Sequence, residues 1–294
     1  MKFPIKNIIT LTAALGSLPA VAYDLGDYSL VWSDEFDGDT LDRSVWNVEV
    51  NGTGCGNHEL QYYIDSPRTV WVKDGRLHLT AIPDRNLTPG GTHDFASGRI
   101  NSKGKASFRY GAVQASIRIP QTVGGLWPAF WMMGDDIDEN TWPRCGELDI
   151  LEMGHSDGVK AGTPDRLFNG AMHWGPGRHH QIVGPMTAPY SLQDGKFHTF
   201  TLVWDADKIE MYLDELETPY LTQDISGTDR DDAGYYFHKP AFILFNLAVG
   251  GDFPGLHSPD QITALDGGPR SLEVEYVRVY RKKGDDRDFS ADKN

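Results

Sequence analysis

Three features are scarce in this 294-residue sequence. Positive charge is the first: 27 Lys and Arg face 42 Asp and Glu, for a formal net charge of −15, which argues against nucleic acid or an anionic membrane as a partner. Cysteine is the second, since two residues allow at most one disulfide bond. The third is helical periodicity, which no long segment sustains, so the pattern excludes a helical bundle.

Glycine, proline and aromatic residues are plentiful instead, with 32 Gly, 17 Pro, 8 Trp, 12 Tyr and 13 Phe. Short segments of alternating apolar and polar residues recur, and each of them predicts a strand. No Pro/Ser-rich linker and no internal repeat separates these segments. The sequence therefore predicts one large all-β domain over residues 23–280, followed by a loose polar tail over residues 281–294.

The first 22 residues have the pattern of an export signal. Lys2 and Lys6 precede an apolar run over residues 8–18, and residues 20–22, Ala-Val-Ala, fit a small-x-small cleavage site. The apolar run is too short to span a bilayer. We therefore expect a mature chain that begins near Tyr23 and is secreted or periplasmic, with no membrane attachment after cleavage.

Three carboxylates, Glu147, Asp149 and Glu152, stand close together in a segment otherwise made of Leu and Ile. Glu147 and Asp149 share one face of an alternating strand, but strict alternation would place Leu151 beside them. One extra residue, a β-bulge, would return Glu152 to that face. An exposed acidic strand with ordinary solvated charges is the alternative explanation of the same pattern.

Carboxylates on one strand face repel one another and resist desolvation, so stability alone gives no reason to gather them. Glycoside hydrolysis with retention of configuration requires such a set, because one carboxylate attacks the sugar while a protonated one gives its proton to the leaving oxygen. Their carboxyl groups should lie about 5–5.5 Å apart. A third carboxylate between them can hydrogen-bond one of the pair and separate their pKa values.

The segment Glu147-Leu-Asp-Ile-Leu-Glu152, with Trp142-Pro before it, resembles the catalytic signature of glycoside hydrolase family 16, in the laminarinase-like branch that carries the bulge. Further segments between Ser29 and Tyr280 resemble the family in the same order. The resemblance implies a jelly-roll β-sandwich of two antiparallel sheets with a concave cleft. It also implies Glu147 as nucleophile, Glu152 as general acid/base and Asp149 as an assisting carboxylate.

The resemblance further implies a set of sugar contacts in the cleft. The matching positions are Asn57, Arg99, Trp127, Trp131 and His173, with Asn246 as the single polar residue of an apolar strand. Plainer roles compete with some of them: Asn57 would shape its own turn, Arg99 would form a surface ion pair, and Trp127 would lie in the core. Asn246 would serve either the cleft or backbone hydrogen bonds. The spacing of His173 and its neighbouring histidines does not fit a zinc site.

A structural calcium ion on the outer face of the sandwich is also implied by the resemblance. The family holds it with main-chain oxygens from the first strand and a hairpin glycine, and with an Asp from the last strand. The matching positions are Glu35, Gly75 and Glu275. Glu275 offers a hard oxygen ligand but is one carbon longer than Asp, so the calcium site stays an open prediction.

The two cysteines, Cys55 and Cys145, both flank predicted cleft segments. An exported chain with a single pair can form one disulfide bond. This bond would close a loop of about 90 residues and contribute about 4–5 kcal/mol if unstrained. A disulfide and two free thiols are therefore the alternatives.

These expectations combine into one predicted activity. The chain would act as a monomer that hydrolyses internal β-1,3 bonds of a β-glucan polysaccharide by double displacement, with no cofactor for catalysis. Mixed-linkage glucan, agarose or carrageenan are alternative substrates, although a sulfated polymer would require more Lys and Arg near the cleft. A non-catalytic β-glucan-binding protein typically lacks one or both glutamates, and both are present here.

Overall fold

The computed structural model describes residues 23–284, so the predicted export signal and residues 285–294 of the predicted tail lie outside the described residues. The strands within that range are β1 (Tyr28–Asp34), β2 (Asn47–Val48), β3 (Gln61–Tyr63), β4 (Val70–Val72), β5 (Leu77–Ala81), β6 (Phe95–Ser97), β7 (Arg99–Asn101), β8 (Ser107–Phe108), β9 (Gly111–Arg118), β10 (Leu126–Gly134), β11 (Glu147–Met153), β12 (Leu167–Trp174), β13 (His180–Thr187), β14 (His198–Trp204), β15 (Lys208–Leu213), β16 (Leu221–Asp224), β17 (Ala241–Val249) and β18 (Arg270–Lys282).

Among the described residues, helical structure is confined to short segments. The two α-helices there are α1 (Ser156–Lys160) and α2 (Gly234–Phe237), and single 3-10 turns lie at Gly54–Gly56, Arg85–Leu87, Pro89–Gly91 and Pro259–Gln261. None of the helices within residues 23–284 is long and apolar enough to cross a membrane.

Two antiparallel sheets of eight strands each dominate the architecture. The first, here called the outer sheet, has the order β16-β15-β14-β9-β18-β5-β4, with β1 also paired to β18. The second, here called the site sheet, has the order β13-β12-β11-β10-β17-β7-β2, with β8 also paired to β17. Strand β18 extends to Lys282, which pairs with Tyr28, so the sheet continues two residues into the segment predicted as tail.

The two sheets face each other across one hydrophobic core. Phe130 on β10 points into this core from the site sheet, and Val113 on β9 and Val277 on β18 point into it from the outer sheet. Each such fully buried apolar side chain stabilises the fold by about 1.5–3 kcal/mol. The predicted two-sheet sandwich is therefore confirmed.

The predicted bulge lies in β11, where it was expected. Against β12, Asp149 pairs with Ala171 and Glu152 pairs with Asn169, so three steps along β11 oppose two steps along β12. The register between β11 and β10 shifts at the same place. The extra residue returns Glu152 to the strand face of Glu147 and Asp149, as the sequence predicted.

The bulge also changes what β11 gives to the core. Ile150 and Leu151 are consecutive, yet both are fully buried among the core side chains. Both sides of the bulge are therefore fixed: two apolar side chains anchor it from the core, while the acids occupy the opposite face.

Gly154 ends the acidic strand in a conformation that side chains disfavour. Its φ is +108°, and a Cβ at this position would stand 2.2 Å from the carbonyl oxygen of Leu126. A contact that short does not occur in real structures, so any side chain at 154 would force β11 away from the start of β10. The glycine thereby fixes the end of β11 against its neighbour.

We predict that Gly154→Ala lowers the free energy of unfolding by about 3 kcal/mol or more, because backbone strain and a steric clash add together. The matched control is Gly162→Ala, since Gly162 also has a positive φ, of +71°, but nothing lies within 4 Å of its added Cβ. The control should lose only about 1 kcal/mol. Urea unfolding curves measure both values, and equal losses would contradict the account of the close approach.

Candidate active site

The three acids lie side by side on the open face of the site sheet. Cross-strand register pairs Glu147 with Met133, and Asp149 with Trp131. Glu152 follows on the same face and pairs with residue 129. Asp149 is only 4% exposed, and the two glutamates are half-buried. The exposed acidic strand that the sequence also allowed is therefore excluded.

Each acid is contacted by a different ring. The indole Nε1 of Trp142 donates a hydrogen bond to Glu147, and the indole Nε1 of Trp127 donates to Glu152 over 3.1 Å. His173 Nε2 lies 3.2 Å from Asp149 Oδ2, although this ionic contact is not aligned as a hydrogen bond. Aromatic N–H groups thus supply the positive polarity that buried carboxylates need.

Burial raises the pKa of every member of the acid set. Burial, and then repulsion from Asp149, raise the pKa of Glu147 to about 8, against the lowering effect of His173, Trp142 and Arg99. Burial raises the pKa of Asp149 to about 7, although a hydrogen bond with Glu147 lowers it. Burial, with repulsion from both neighbours, raises the pKa of Glu152 well above its ordinary value. The raised pKa of Glu152 favours the protonated form that a general acid requires.

Arg99, Trp131 and Asn246 form one packed group beside the acids. The guanidinium of Arg99 lies over the Trp131 ring, 4.8 Å from its centroid, and Trp131 Nε1 donates to Asn246 Oδ1 over 2.8 Å. The partner of Asn246 is therefore a tryptophan of the site face and not the backbone alone. Arg99 does form an ion pair, at 2.9 Å to Glu49, but a largely buried one.

Trp127 lies on the site face and not in the core between the sheets. Trp131 follows it four steps later along the continuous strand β10, so the two indoles project from the same side of β10. Its ring stacks on Phe253 with a centroid distance of 4.7 Å. The core role that the sequence left open for Trp127 is thereby excluded.

Asn57 lies at the end of the 3-10 turn Gly54–Gly56, where its contacts support the loop-shaping role, while its contact with a sugar stays a prediction. Its main-chain oxygen accepts from the Asp252 amide over 2.9 Å. Its side chain hydrogen-bonds Glu59, which also accepts from Tyr63 over 3.1 Å. Asn57 thus shapes its loop and also belongs to a polar network that reaches Arg99.

Several residues of the site carried no predicted role. They are Glu49 and Glu59 beside Arg99, Trp142 beside Glu147, His179 beside His173, and Asn169 opposite Glu152. Trp142 was recognisable as a lone aromatic in a polar loop close before the acids. The glutamates are far from Arg99 in sequence, so only the fold reveals that they meet it.

Of the two alternatives for the cysteine pair, the structure shows free thiols at Cys55 and Cys145 and no disulfide bond. Cys55 lies in the turn before Asn57, 3.6 Å from Arg99 Nη1. Cys145 is buried and contacts Met133 Sδ at 3.3 Å. Each thiol therefore packs against its own partner. Burial also raises the pKa of both thiols to about 12, which disfavours the thiolate that disulfide formation needs.

The structure does not support the predicted calcium site. Glu35, Gly75 and Glu275 do line one cavity of about 870 Å³ at the outer sheet. However, the Glu35 carboxylate is held by both arms of Arg278, at 2.9 and 2.8 Å, and Glu275 accepts from Ser116 over 2.9 Å. The described residues contain no cluster of three or more His, Cys, Asp or Glu side chains that could hold a metal ion. The side chains therefore form no calcium site by themselves, and Arg278 supplies positive charge there. The main-chain oxygens of Glu35 and Gly75 are not tested by these contacts, so the calcium ion stays a prediction.

Comparison with known proteins shows the family to which this chain is similar. Residues 57–255 match the family model of the glycosyl hydrolases family 16. A glucan endo-1,3-beta-glucosidase of Cryptopygus antarcticus is 33% identical over 88% of this chain and 94% of its own length. A second relative, glucan endo-1,3-beta-glucosidase A1 of Niallia circulans, is 33% identical over 90% of this chain, which spans only 39% of that relative.

A solved structure shows the same fold. It is the family 16 protein of the mixed linkage glucan locus of Bacteroides ovatus, in complex with a product, and it is 41% identical to this chain. The match covers 84% of this chain and 99% of that one, with a TM-score of 0.74.

We predict that Trp142→Phe raises the pKa of Glu147. The indole N–H stabilises the ionised carboxylate, so its removal favours the protonated form while the aromatic ring remains. Carboxyl carbon NMR of labelled glutamate measures the shift without any substrate. Trp71→Phe is the control, because Trp71 lies on β4 in the outer sheet. An unchanged Glu147 titration in Trp142→Phe would show that the indole does not tune this acid.

Proposed function

The chain belongs to the glycosyl hydrolases of family 16, and from this membership we propose that it is a retaining endo-β-1,3-glucanase. One observation carries the proposal: the bulge of β11 brings Glu147, Asp149 and Glu152 onto a single strand face. Burial and the two neighbouring acids also raise the pKa of Glu152 well above its ordinary value. Relatives whose names state cleavage of β-1,3-glucan support the choice of substrate.

The first step of the proposed reaction forms a bond to the protein. A carboxylate oxygen of Glu147 attacks the anomeric carbon while the bond from that carbon to the glycosidic oxygen breaks. Glu152 transfers its proton to this oxygen, and the leaving part of the glucan departs with a free hydroxyl group. Asp149 takes part by its hydrogen bond to Glu147, because it can hold the shared proton and leave Glu147 ionised.

The second step releases the sugar. Glu152, now ionised, removes a proton from water, whose oxygen attacks the anomeric carbon as the bond to Glu147 breaks. Two displacements at the same carbon restore its original configuration. Carboxylates carry out every proton and bond transfer, so the reaction requires no cofactor.

The side chains around the acids suit a neutral sugar. Trp127 and Trp131 offer indole surfaces on which sugar C–H faces pack, and Asn57 and Asn246 offer amides for hydroxyl groups. Arg99, the cation of this group, is already neutralised by Glu49 at 2.9 Å. This pairing disfavours a sulfated galactan, whose anionic groups require unpaired cations.

Mixed-linkage β-1,3-1,4-glucan is the second candidate substrate. The observation in its favour is the 41% identity to the Bacteroides ovatus protein of a mixed linkage glucan locus, which was solved in complex with the product G4G4G3G. Both polymers contain the β-1,3-linked glucose that the proposed site would hold, so the two candidates differ in substrate preference and share one mechanism.

We further propose that residues 1–22 direct export and that the mature protein is a secreted or periplasmic monomer. The charged start and apolar run of residues 1–22 support export. The intact mass of the exported protein should correspond to a chain beginning at Tyr23, and light scattering should give the mass of one chain. A retained N terminus would refute the proposed export signal, and the mass of a dimer would refute the proposed monomer.

We predict that Glu147→Ser and Glu152→Ser each lower the rate on the best substrate by at least about a hundredfold, because each removes one of the two groups that transfer bonds or protons. A reducing-end assay on laminarin, mixed-linkage glucan, agarose and carrageenan measures the rates. Trp71→Phe serves as the folded control. Wild-type rates in both serine variants would overturn the assigned roles.

The stereochemistry of the first product provides an independent check. Proton NMR during early hydrolysis should show the β anomer before mutarotation, since two displacements retain the configuration. An initial α anomer would exclude the double displacement and hence Glu147 as nucleophile.

A further inference from the structure

His179 touches the side chains that hold the acids, although it contacts none of the acids itself. Its Nε2 lies 2.8 Å from His173 Nδ1, and its ring centroid lies 4.8 Å from that of Trp142. Trp142 in turn donates to Glu147. His179 therefore contacts two of the three rings that contact the acids.

Two contacts of His173, with Asp149 on one side and with His179 on the other, determine which ring nitrogens of this histidine pair carry protons. His173 Nε2 lies 3.2 Å from Asp149 Oδ2, a buried oxygen that no other described group hydrogen-bonds. A carboxyl oxygen without a proton can only accept, so it favours an N–H and not a bare nitrogen at Nε2. A neutral His173 with its proton on Nε2 has a bare Nδ1, which can only accept. The 2.8 Å contact to His179 Nε2 is then donated by His179.

We propose that His179 is a positioning residue that fixes the tautomer and orientation of His173, with the proton of His173 on Nε2, the nitrogen that lies nearest Asp149. This inference rests on the proposed function, because it deepens the role of the same acid set. His179 then donates to His173 Nδ1, and the N–H of His173 lies on the side of Asp149. The other ionisable groups facing the pair are Glu147 and Glu152 on β11, and His180, which adjoins His179.

This arrangement of protons has a consequence for catalysis. An N–H fixed beside Asp149 Oδ2 holds the Asp149 side chain in place, and Asp149 shares a hydrogen bond with the nucleophile Glu147. If His173 rotated or carried its proton on Nδ1, a bare nitrogen would face the carboxylate of Asp149. The carboxylate would lose its stabilising contact and the acid set would be held less firmly in its reactive arrangement.

The test compares two replacements of His179. His179→Leu removes the donor, while His179→Gln keeps an N–H group near the position of Nε2. His180→Leu is the matched control, because it makes the same change at the next residue, whose ring stacks on Trp174 instead. On the best glucan substrate, His179→Leu should lower kcat about tenfold with little change in KM, since positioning and not binding is lost. His179→Gln should restore most of kcat.

Nitrogen NMR of labelled histidine supplies a readout that does not depend on activity. Wild-type protein should show His173 with a protonated Nε2 and a bare Nδ1, and His179→Leu should show a mixture of both tautomers. Retention of a single tautomer or of the wild-type kcat in His179→Leu would overturn the proposal, as would the same loss in His180→Leu. If the wild type cleaves none of the glucans, the proposed function fails, and the tautomer measurement still decides the role of His179.

Discussion

The bulge at Ile150 and Leu151 is the constraint on which the site depends. Without it, alternation along β11 would turn Glu152 into the core and leave an apolar side chain beside Glu147 and Asp149. Both bulge residues are fully buried, so the core anchors the irregularity from behind. The hydrophobic packing of Ile150 and Leu151 therefore holds the bulge, and the bulge sets the positions of the acids on the opposite face.

Gathering one buried and two half-buried carboxylates has an electrostatic cost, and rings on neighbouring segments offset it. Indole N–H groups of Trp127 and Trp142 serve the two glutamates, and His173 faces Asp149. The acids keep raised pKa values despite these contacts, with burial as the largest cause. The proposed mechanism thus has a protonated Glu152 for the leaving group, while Asp149 can hold the proton shared with Glu147 so that Glu147 is ionised.

Patterns within one segment were predictable from the sequence, while partners from distant segments were not. The spacing of the acids was sufficient to predict the bulge, because the face of each strand residue follows from counting. The contact of Arg99 with Glu49 and the Glu35–Arg278 pair at the outer sheet depend on how strands stack. Cys55 illustrates the same limit, since a count of cysteines cannot show that this thiol would pack against Arg99.

The central claim is that Glu147 forms the covalent bond to the sugar. A β-glucan oligosaccharide with fluorine at carbon 2 and a good leaving group at carbon 1 should trap that bond, because the fluorine slows its hydrolysis more than a reactive leaving group slows its formation. Mass spectrometry of the digested protein should find the sugar on Glu147. A sugar attached to Asp149 or Glu152, or a protein that turns over the unmodified substrate but never acquires the label, would contradict the account.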